Sequence, residues 1–263
     1  LRVIVDADGT ASGAEVRLQG GDKATLNARR VVVACNGVGT PRLLLQSRTE
    51  WFPTGLANSS DQVGRNLMLH PLGYVEGLFD DDLQSHLGPQ GCCIASHEFY
   101  ETRAENDFVR GYSMQVLRGP APLETAMSGV LRREINWGES HHEGFSRRFG
   151  HIASLATIIE DLPEAHNRVT LDDSLVDSDG IPAPRVRYRL AENSKRMLSH
   201  AIQNGRTLMK EAGATRTYGF GPVRETGWHL MGTTRMGDDP AHSVVDRNGQ
   251  SHDVPRLYVA DSS

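Results

Sequence analysis

The chain has 263 residues, of which 38% are hydrophobic, and its 28 Lys and Arg against 33 Asp and Glu give a net charge of −5. This composition is typical of a globular protein; it excludes a disordered polyelectrolyte and argues against a nucleic-acid-binding protein, which would carry a basic excess. The longest uncharged stretches fall far short of the roughly 20 apolar residues of a membrane-spanning helix, so no membrane segment is predicted.

The first 50 residues predict strands followed by a helix. Residues 1–20 alternate as a β-hairpin does, and Arg30–Cys35 contains three consecutive valines, which is typical of a strand covered on both faces in a parallel sheet. Thr40 is a good helix N-cap and Pro41 a good first helical residue. A strand, a glycine turn and a helix form half of a nucleotide-binding unit, but Arg42 replaces the third glycine of that fingerprint, so a turn without a ligand is an equal alternative.

The middle of the chain predicts an antiparallel sheet backed by helices. Four strand-like runs, separated by turn-forming residues, lie at 73–79, 92–100, 108–117 and 151–159, and a helix is possible over 123–135. A strand pair is predicted at 167–171 and 185–190, with Val186, Tyr188 and Leu190 facing inward. A helix with one apolar stripe then runs from Asn193 or Ser194 to a C-terminal glycine at Gly213.

Two acidic or histidine-rich stretches are better explained without a metal. Asp177–Gly180 lacks the ligand spacing of a calcium loop and is interpreted as a hairpin turn. His141, His142, His151 and His166 lack the spacing of a zinc site, and the first two are placed in a solvated loop. No metal site is predicted.

The last forty residues carry the strongest functional pattern. Gly227–Gly237 places His229 among glycines, threonines and apolar residues, a setting that disfavours the charged imidazole and lets a neutral one accept a proton. A lone histidine of this kind is more often a structural residue than a catalyst. Asp261 follows a strand-like run, and ligands of open α/β sheets bind at the carboxyl ends of strands.

Together these segments resemble the glucose–methanol–choline (GMC) family of FAD-dependent oxidoreductases. The resemblance is carried by four stretches in family order: Val31–Ser47 with its Thr40–Pro41 pair, Val63–Pro71, Asn167–Leu171, and His229–Gly237 with Ser243–Asp246 and Leu257–Ser262. Asn167–Leu171 is similar to the sugar- and gluconate-dehydrogenase branch. Asn36 and Gly37 stand where the family signature has Gly and Ala.

The resemblance implies an α/β (α+β) protein of two domains. Residues 1–66 and 226–263 would belong to a Rossmann-like FAD domain, and residues 67–225 to a substrate domain with a mostly antiparallel sheet. The implied activity is oxidation of an alcohol such as a sugar or polyol, in which His229 takes the hydroxyl proton and hydride passes to the flavin. Asp261 and Ser262, and less directly Asn36 and Gly37, would lie near the FAD.

Some properties stay open at the level of sequence. Because the chain begins and ends within strand-like runs, we expect an internal fragment that carries about half of the active site and is inactive alone. The alternative function is a cofactor-free carbohydrate-binding module, which would not need the His229–Gly237 block together with Asp261. The alcohol, the electron acceptor, the oligomeric state and the compartment, cytoplasmic or periplasmic, are not specified.

Overall fold

The computed structural model describes residues 1–88, 91–224 and 226–263. They form two compact units: unit 1 is Leu1–Leu69, Leu162–Leu190 and Gly227–Ser263, and unit 2 is His70–Asp161 and Ala191–Thr226. The segment Leu162–Leu190 therefore packs in unit 1, whereas the sequence analysis placed it with residues 67–225.

Twelve strands and four helices are assigned over the described residues. The strands are β1 (Arg2–Val5), β2 (Ala11–Arg17), β3 (Lys23–Asn27), β4 (Val31–Val33), β5 (Leu72–Leu78), β6 (Cys92–Ser96), β7 (Tyr112–Leu117), β8 (Ile152–Ile159), β9 (Arg168–Val176), β10 (Pro182–Arg187), β11 (Arg216–Phe220) and β12 (Leu257–Val259). The helices are α1 (Asn36–Gln46), α2 (Pro122–Leu131), α3 (His141–Ser146) and α4 (Glu192–Glu211). The prediction of a mixed α/β fold with mostly antiparallel sheets is confirmed.

Unit 1 contains three small sheets around one apolar core. The predicted hairpin is β1 and β2, and β3 extends it; β9 and β10 form a second antiparallel pair; β4 and β12 pair in parallel. Val33, Leu44 and Leu257 are buried together at the centre of this core. The β9–β10 hairpin packs against α1, which explains why it belongs to unit 1.

Two burial predictions in unit 1 are wrong. Val32 is 60% exposed, so β4 is covered on one face only among the described residues, and Val186 is 48% exposed although it was expected to face inward. Burial alternates between Val32 and Val33 of β4, whereas β10 shows no regular alternation and a register shift interrupts its pairing with β9. The turn predicted at Asp177–Gly180 is confirmed, because Asp177 Oδ1 accepts the backbone N–H groups of Asp179 and Ile181.

Unit 2 is built on a five-stranded antiparallel sheet in the order β11-β5-β8-β7-β6. The four predicted strands are all present, and β11 adds an edge that the sequence analysis did not predict. The long helix α4 packs along one face, over β5, β8 and β11. Met197, Leu198, Ala201 and Met209 are buried there as predicted, whereas Leu208 is 46% exposed.

Glycines let α4 lie close to the sheet. A Cβ atom on Gly73 would lie 3.0 Å from side-chain atoms of Leu198 and Ile202, and one on Gly77 would lie 3.0 Å from Met209 Sδ. Small residues on β5 therefore set the distance between helix and sheet.

The start of α3 differs from the prediction, and the end of α4 agrees with it. His141 and His142 begin the short helix α3 instead of a loop, and Gly144 of that helix packs against Ile135. Gly213 follows α4 with φ of 100°, as predicted for a C-terminal glycine.

Among the described residues, no helix has both the length and the apolar character needed to cross a bilayer.

Candidate functional site

The carboxyl ends of the parallel strands β4 and β12 bring four predicted site residues together. Val33 pairs with Val259 at the end of the ladder. Asn36 and Gly37 then begin α1 after β4, and Asp261 and Ser262 follow β12. Parallel strands end at the same edge of a sheet, which is where ligands of α/β proteins bind.

Asp261 ties the two strand ends to each other. The backbone N–H of Asn36 and the hydroxyl of Thr40 donate to Asp261 Oδ2 at 3.0 and 2.6 Å, and the backbone N–H of Ser263 donates to Oδ1 at 2.7 Å. Burial by itself would raise the pKa of this carboxyl group, but the hydrogen bonds from Ser263, Thr40 and Asn36 favour the charged form and hold the pKa of Asp261 below its ordinary value. Asp261 therefore fixes the geometry of this edge.

Helix α1 begins at Asn36, five residues before the predicted first helical residue, Pro41. Asn36 has φ of 66°, and its side-chain Oδ1 accepts hydrogen bonds from the backbone N–H groups of Val38 and Gly39. The Asn36 amide thus performs the capping that was assigned to Thr40. The Thr40 hydroxyl accepts from the Cys35 N–H and donates to Asp261 instead.

The segment after His229 lies directly on the first turn of α1. A Cβ atom on Gly37 would lie 2.8 Å from the carbonyl carbon and oxygen of Leu230, so only glycine permits this approach. The hydroxyl of Ser262 donates to the same Leu230 oxygen at 2.8 Å, and the hydroxyl of Thr233 donates to the carbonyl of Gly37 at 2.9 Å. Leu230 is therefore held by both strand ends.

His229 lies on the exposed side of this anchored loop. Its side chain is exposed, and the neighbouring Trp228 is 66% exposed. The buried, apolar setting expected for His229 is not observed among the described residues, since residues 228 and 229 are both exposed. The structure thus brings Gly37 and Ser262 into contact with Leu230 of the His229 loop, while the imidazole stays exposed.

Sequence reasoning missed the hydroxyl groups that hold the site. Thr40 and Thr233 are fully buried, and each donates to a group that the site depends on. The Thr40–Pro41 pair was interpreted only as a helix start. Pro41 was the available signal for Thr233, since a proline cannot donate to the carbonyl of Gly37 four residues earlier.

Within the part of the chain that the structure describes, no three His, Cys, Asp or Glu side chains are grouped as metal ligands. The nearby pair of Ser243 and His252, at 2.9 Å, is also bonded to backbone carbonyls and closes a loop.

Two family models match the chain. The N-terminal model of the GMC oxidoreductases matches residues 1–72, and the C-terminal model matches residues 163–263. The second match contains His229, Asp261 and Ser262, and the first contains Asn36 and Gly37.

Characterised relatives match nearly the whole chain. It is 39% identical over 259 residues to the 2-methyl-1,2-propanediol dehydrogenase of Mycolicibacterium austroafricanum, covering 97% of this chain and 47% of that protein. It is 30% identical over 235 residues to the fructose dehydrogenase large subunit of Gluconobacter japonicus, covering 89% of this chain and 42% of that protein. The chain thus spans about half the length of the curated relatives it matches.

A solved structure shares the fold. Formate oxidase superposes with a TM-score of 0.63 at 16% identity, covering all of this chain and 54% of that one. The likeness shows the fold, that of flavoenzymes with a Rossmann-like FAD domain.

Proposed function

We propose, from the premise that the chain belongs to the GMC oxidoreductase family, that it forms part of the active site of an enzyme that oxidises an alcohol such as a sugar, a polyol or a diol. Members of this family are FAD-dependent flavoproteins. The observation that carries the proposal is the convergence of Asn36, Gly37, Asp261 and Ser262 beside the loop that bears His229.

The residues at this edge suit a flavin cofactor. Asn36 and Ser262 present exposed polar groups, and Val32 on the adjoining strand presents apolar surface. FAD has both an apolar ring system and a polar ribityl–diphosphate chain, so a mixed surface at the ends of parallel strands fits it. We assign Asn36, Gly37, Asp261 and Ser262 to the cofactor region.

Asp261 acts here as a positioning residue. Its two carboxylate oxygens accept three hydrogen bonds from the chain itself. A carboxylate in this place holds the first turn of α1 and keeps Ser262 beside Leu230, so the exposed polar groups keep a fixed arrangement.

His229 is the residue that takes the proton from the substrate hydroxyl. An exposed imidazole on a rigidly anchored loop can reach a small alcohol, and a neutral ring nitrogen accepts the proton as the alcohol is oxidised. Bound FAD would supply the acceptor for the hydride of the carbinol carbon. The chain's own contribution is to orient the hydroxyl and hold its proton on the His229 ring.

The test uses the natural protein that contains this chain, purified without reductant. We expect a yellow protein whose flavin absorbance is bleached when a substrate alcohol is added without oxygen, and recovers with an artificial electron acceptor. A colourless protein that binds sugars would instead favour the cofactor-free carbohydrate-binding module. A yellow protein that no alcohol, diol or sugar bleaches would contradict the proposed reaction.

A further inference from the structure

We propose that the face of the unit 2 sheet opposite α4 carries a binding pocket for a polyhydroxy compound, formed around Glu134, Arg148 and Arg216. The class of ligand rests on the proposed function, since a polyol or sugar would be the substrate. The pocket itself rests on features of unit 2 alone.

A polar cavity opens on this sheet face. One part measures about 90 Å³ and is lined by Glu76, Arg148 and Tyr218 among others; a second measures about 220 Å³ and extends between Asn136 and Arg147. The two parts share Leu78, Glu134, Arg148 and Arg216 as walls. Both exceed the ~30 Å³ that a water molecule occupies in the liquid, so the space can admit a small organic molecule.

The sheet register places the floor of this cavity away from α4. Glu76 pairs with Ser154 and Tyr218, and Leu78 pairs with Ile152 and Arg216, so these side chains share one face. The alternate residues, such as Val75 and Gly77, point to α4. The helix therefore leaves the opposite face free to form a pocket.

Arg148 and Glu134 form an ion pair that is incompletely satisfied. Arg148 is 6% exposed, and its Nη1 lies 2.5 Å from Glu134 Oε2. Yet Arg148 Nε has no hydrogen-bond partner among the described residues of the chain. A buried donor therefore remains unpaired at one wall of the cavity, beside the Glu134 carboxylate.

A hydroxyl group suits a wall that presents an unpaired guanidinium donor beside a carboxylate. It accepts a hydrogen bond from a guanidinium and donates one to a carboxylate, whereas a carboxylate or phosphate would satisfy Arg148 and be repelled by Glu134. Arg216 adds a second guanidinium at the mouth, 3.3 Å from Glu134 Oε1 and 67% exposed. A compound with several hydroxyls could bind both the buried pair and Arg216 at once.

The wall beside the pair supports the same class of ligand. The Arg132 guanidinium pairs with Glu76 and lies 4.0 Å from the centre of the Tyr218 ring. Burial lowers the pKa of Arg148, and the nearby charges of Arg132 and Arg216 lower it further, while Glu134 and Glu76 oppose them. The pocket therefore balances charges of both signs beside an aromatic ring, as suits a neutral polar molecule better than an ion.

The test is binding of sorbitol to the natural protein that contains this chain, measured by calorimetry, together with steady-state oxidation of sorbitol and of 1-propanol. Arg216→Ala removes only an exposed partner, so the fold should be retained. We expect this change to weaken sorbitol binding about tenfold or more, as for loss of a hydrogen bond to a charged group, and to raise the KM for sorbitol by more than the KM for 1-propanol. Arg196→Ala, which changes an exposed arginine of α4, is the control and should alter neither.

A second variant keeps the result interpretable. Glu134→Gln retains the size of the buried side chain; its thermal unfolding reports whether unit 2 is intact, and sorbitol affinity should fall as for Arg216→Ala. Unchanged sorbitol binding in both folded variants would overturn the pocket, even if alcohols are oxidised. Weakened sorbitol binding in a protein that oxidises no alcohol would support the pocket while contradicting the proposed reaction. If the wild-type protein does not bind sorbitol at all, the proposed pocket is wrong, and water is then the partner of Arg148 Nε.

Discussion

The hydroxyl of Thr233 donates to the carbonyl oxygen of Gly37 at 2.9 Å, and both residues are buried. In a regular helix that carbonyl would accept from the backbone nitrogen four residues later, but this residue is Pro41, which has no N–H. Thr233 therefore replaces the missing helical donor. The interaction joins the loop after His229 to the helix at the predicted cofactor edge.

Thr233→Val should destabilise the protein because it leaves the buried Gly37 carbonyl without a donor. We expect a loss of about 1–3 kcal/mol in the free energy of unfolding by urea. Thr25→Val, on the exposed strand β3, is the matched control and should change little. In a Pro41→Ala background the new N–H can donate to Gly37, so the same threonine substitution should cost less; an equal cost in both backgrounds would contradict the proposed replacement.

Gly37→Ala should disturb the loop that carries His229. The added Cβ would lie 2.8 Å from the Leu230 backbone, which has to shift, and overpacking of this kind costs about 1–3 kcal/mol. We expect a lower thermal unfolding temperature and less flavin bound per chain in the natural protein. Gly20→Ala adds the same atom where no other atom lies within 4 Å and should have neither effect. Wild-type values for Gly37→Ala would show that Leu230 does not pack as described.

Local patterns in the sequence predicted most strands and the course of α4. The spacing of Met197, Ala201 and Met209 is sufficient for that helix, because its burial follows from one continuous stripe. The start of α1 could not be predicted in this way. It depends on the left-handed backbone of Asn36 and on a carboxylate 225 residues away in sequence, and no local periodicity reports either.

The sequence predicted which residues form the candidate site, but not how they are arranged in space. Motif resemblance identified Asn36, Gly37, His229, Asp261 and Ser262, and the structure places four of them around Leu230 or on α1. The exposure of His229 and the bonds of Thr40 depend on contacts between distant segments. The side of the sheet on which Arg148 meets Glu134 likewise follows only from strand register, which the sequence pattern leaves undetermined.

His229→Ala should slow alcohol oxidation in the natural protein by about 10²–10⁴-fold, because the substrate hydroxyl loses its general base. The flavin absorbance spectrum and the amount of flavin bound should be unchanged, since the His229 side chain is exposed. His242→Ala removes another exposed imidazole of unit 1 and serves as the control. Wild-type turnover in His229→Ala would assign the catalytic proton transfer to a different group.

Asp261→Ala should weaken FAD retention more than it alters the reactivity of the flavin that stays bound. Without the carboxylate, the Asn36 and Ser263 N–H groups and the Thr40 hydroxyl lose their acceptor, so the first turn of α1 is no longer fixed. The measurement is bound flavin per chain after dialysis, followed by turnover per bound flavin. Asp253→Ala, which removes an acceptor from the Ser59 N–H, is the control. Full flavin occupancy in Asp261→Ala would remove Asp261 from the cofactor region.

His200 on α4 gives unit 2 a defined dependence on pH. Its Nδ1 lies 2.9 Å from the Tyr112 hydroxyl, and Asn204 is within hydrogen-bond distance. Burial lowers the pKa of His200, the charge of Arg103 lowers it further, and Asp107 opposes both. The rings of Phe99, Phe108 and Tyr112 surround the imidazole and leave little water to solvate a charged form.

The sign of the effect follows from proton binding. Between the ordinary histidine pKa of about 6.5 and the lower folded-state pKa, the unfolded chain binds a proton that the folded protein does not. At pH values above this range, His200 does not reduce the free energy of unfolding. As the pH falls through the range, His200 lowers that free energy. We expect His200→Gln, which cannot titrate, to lose less stability than the wild type between pH 7.5 and 5 in urea unfolding monitored by circular dichroism. His166→Gln, which changes an exposed histidine of unit 1, is the control variant. Parallel pH dependence in His200→Gln and the wild type would mean that the imidazole is solvated and titrates alike in the folded and unfolded states.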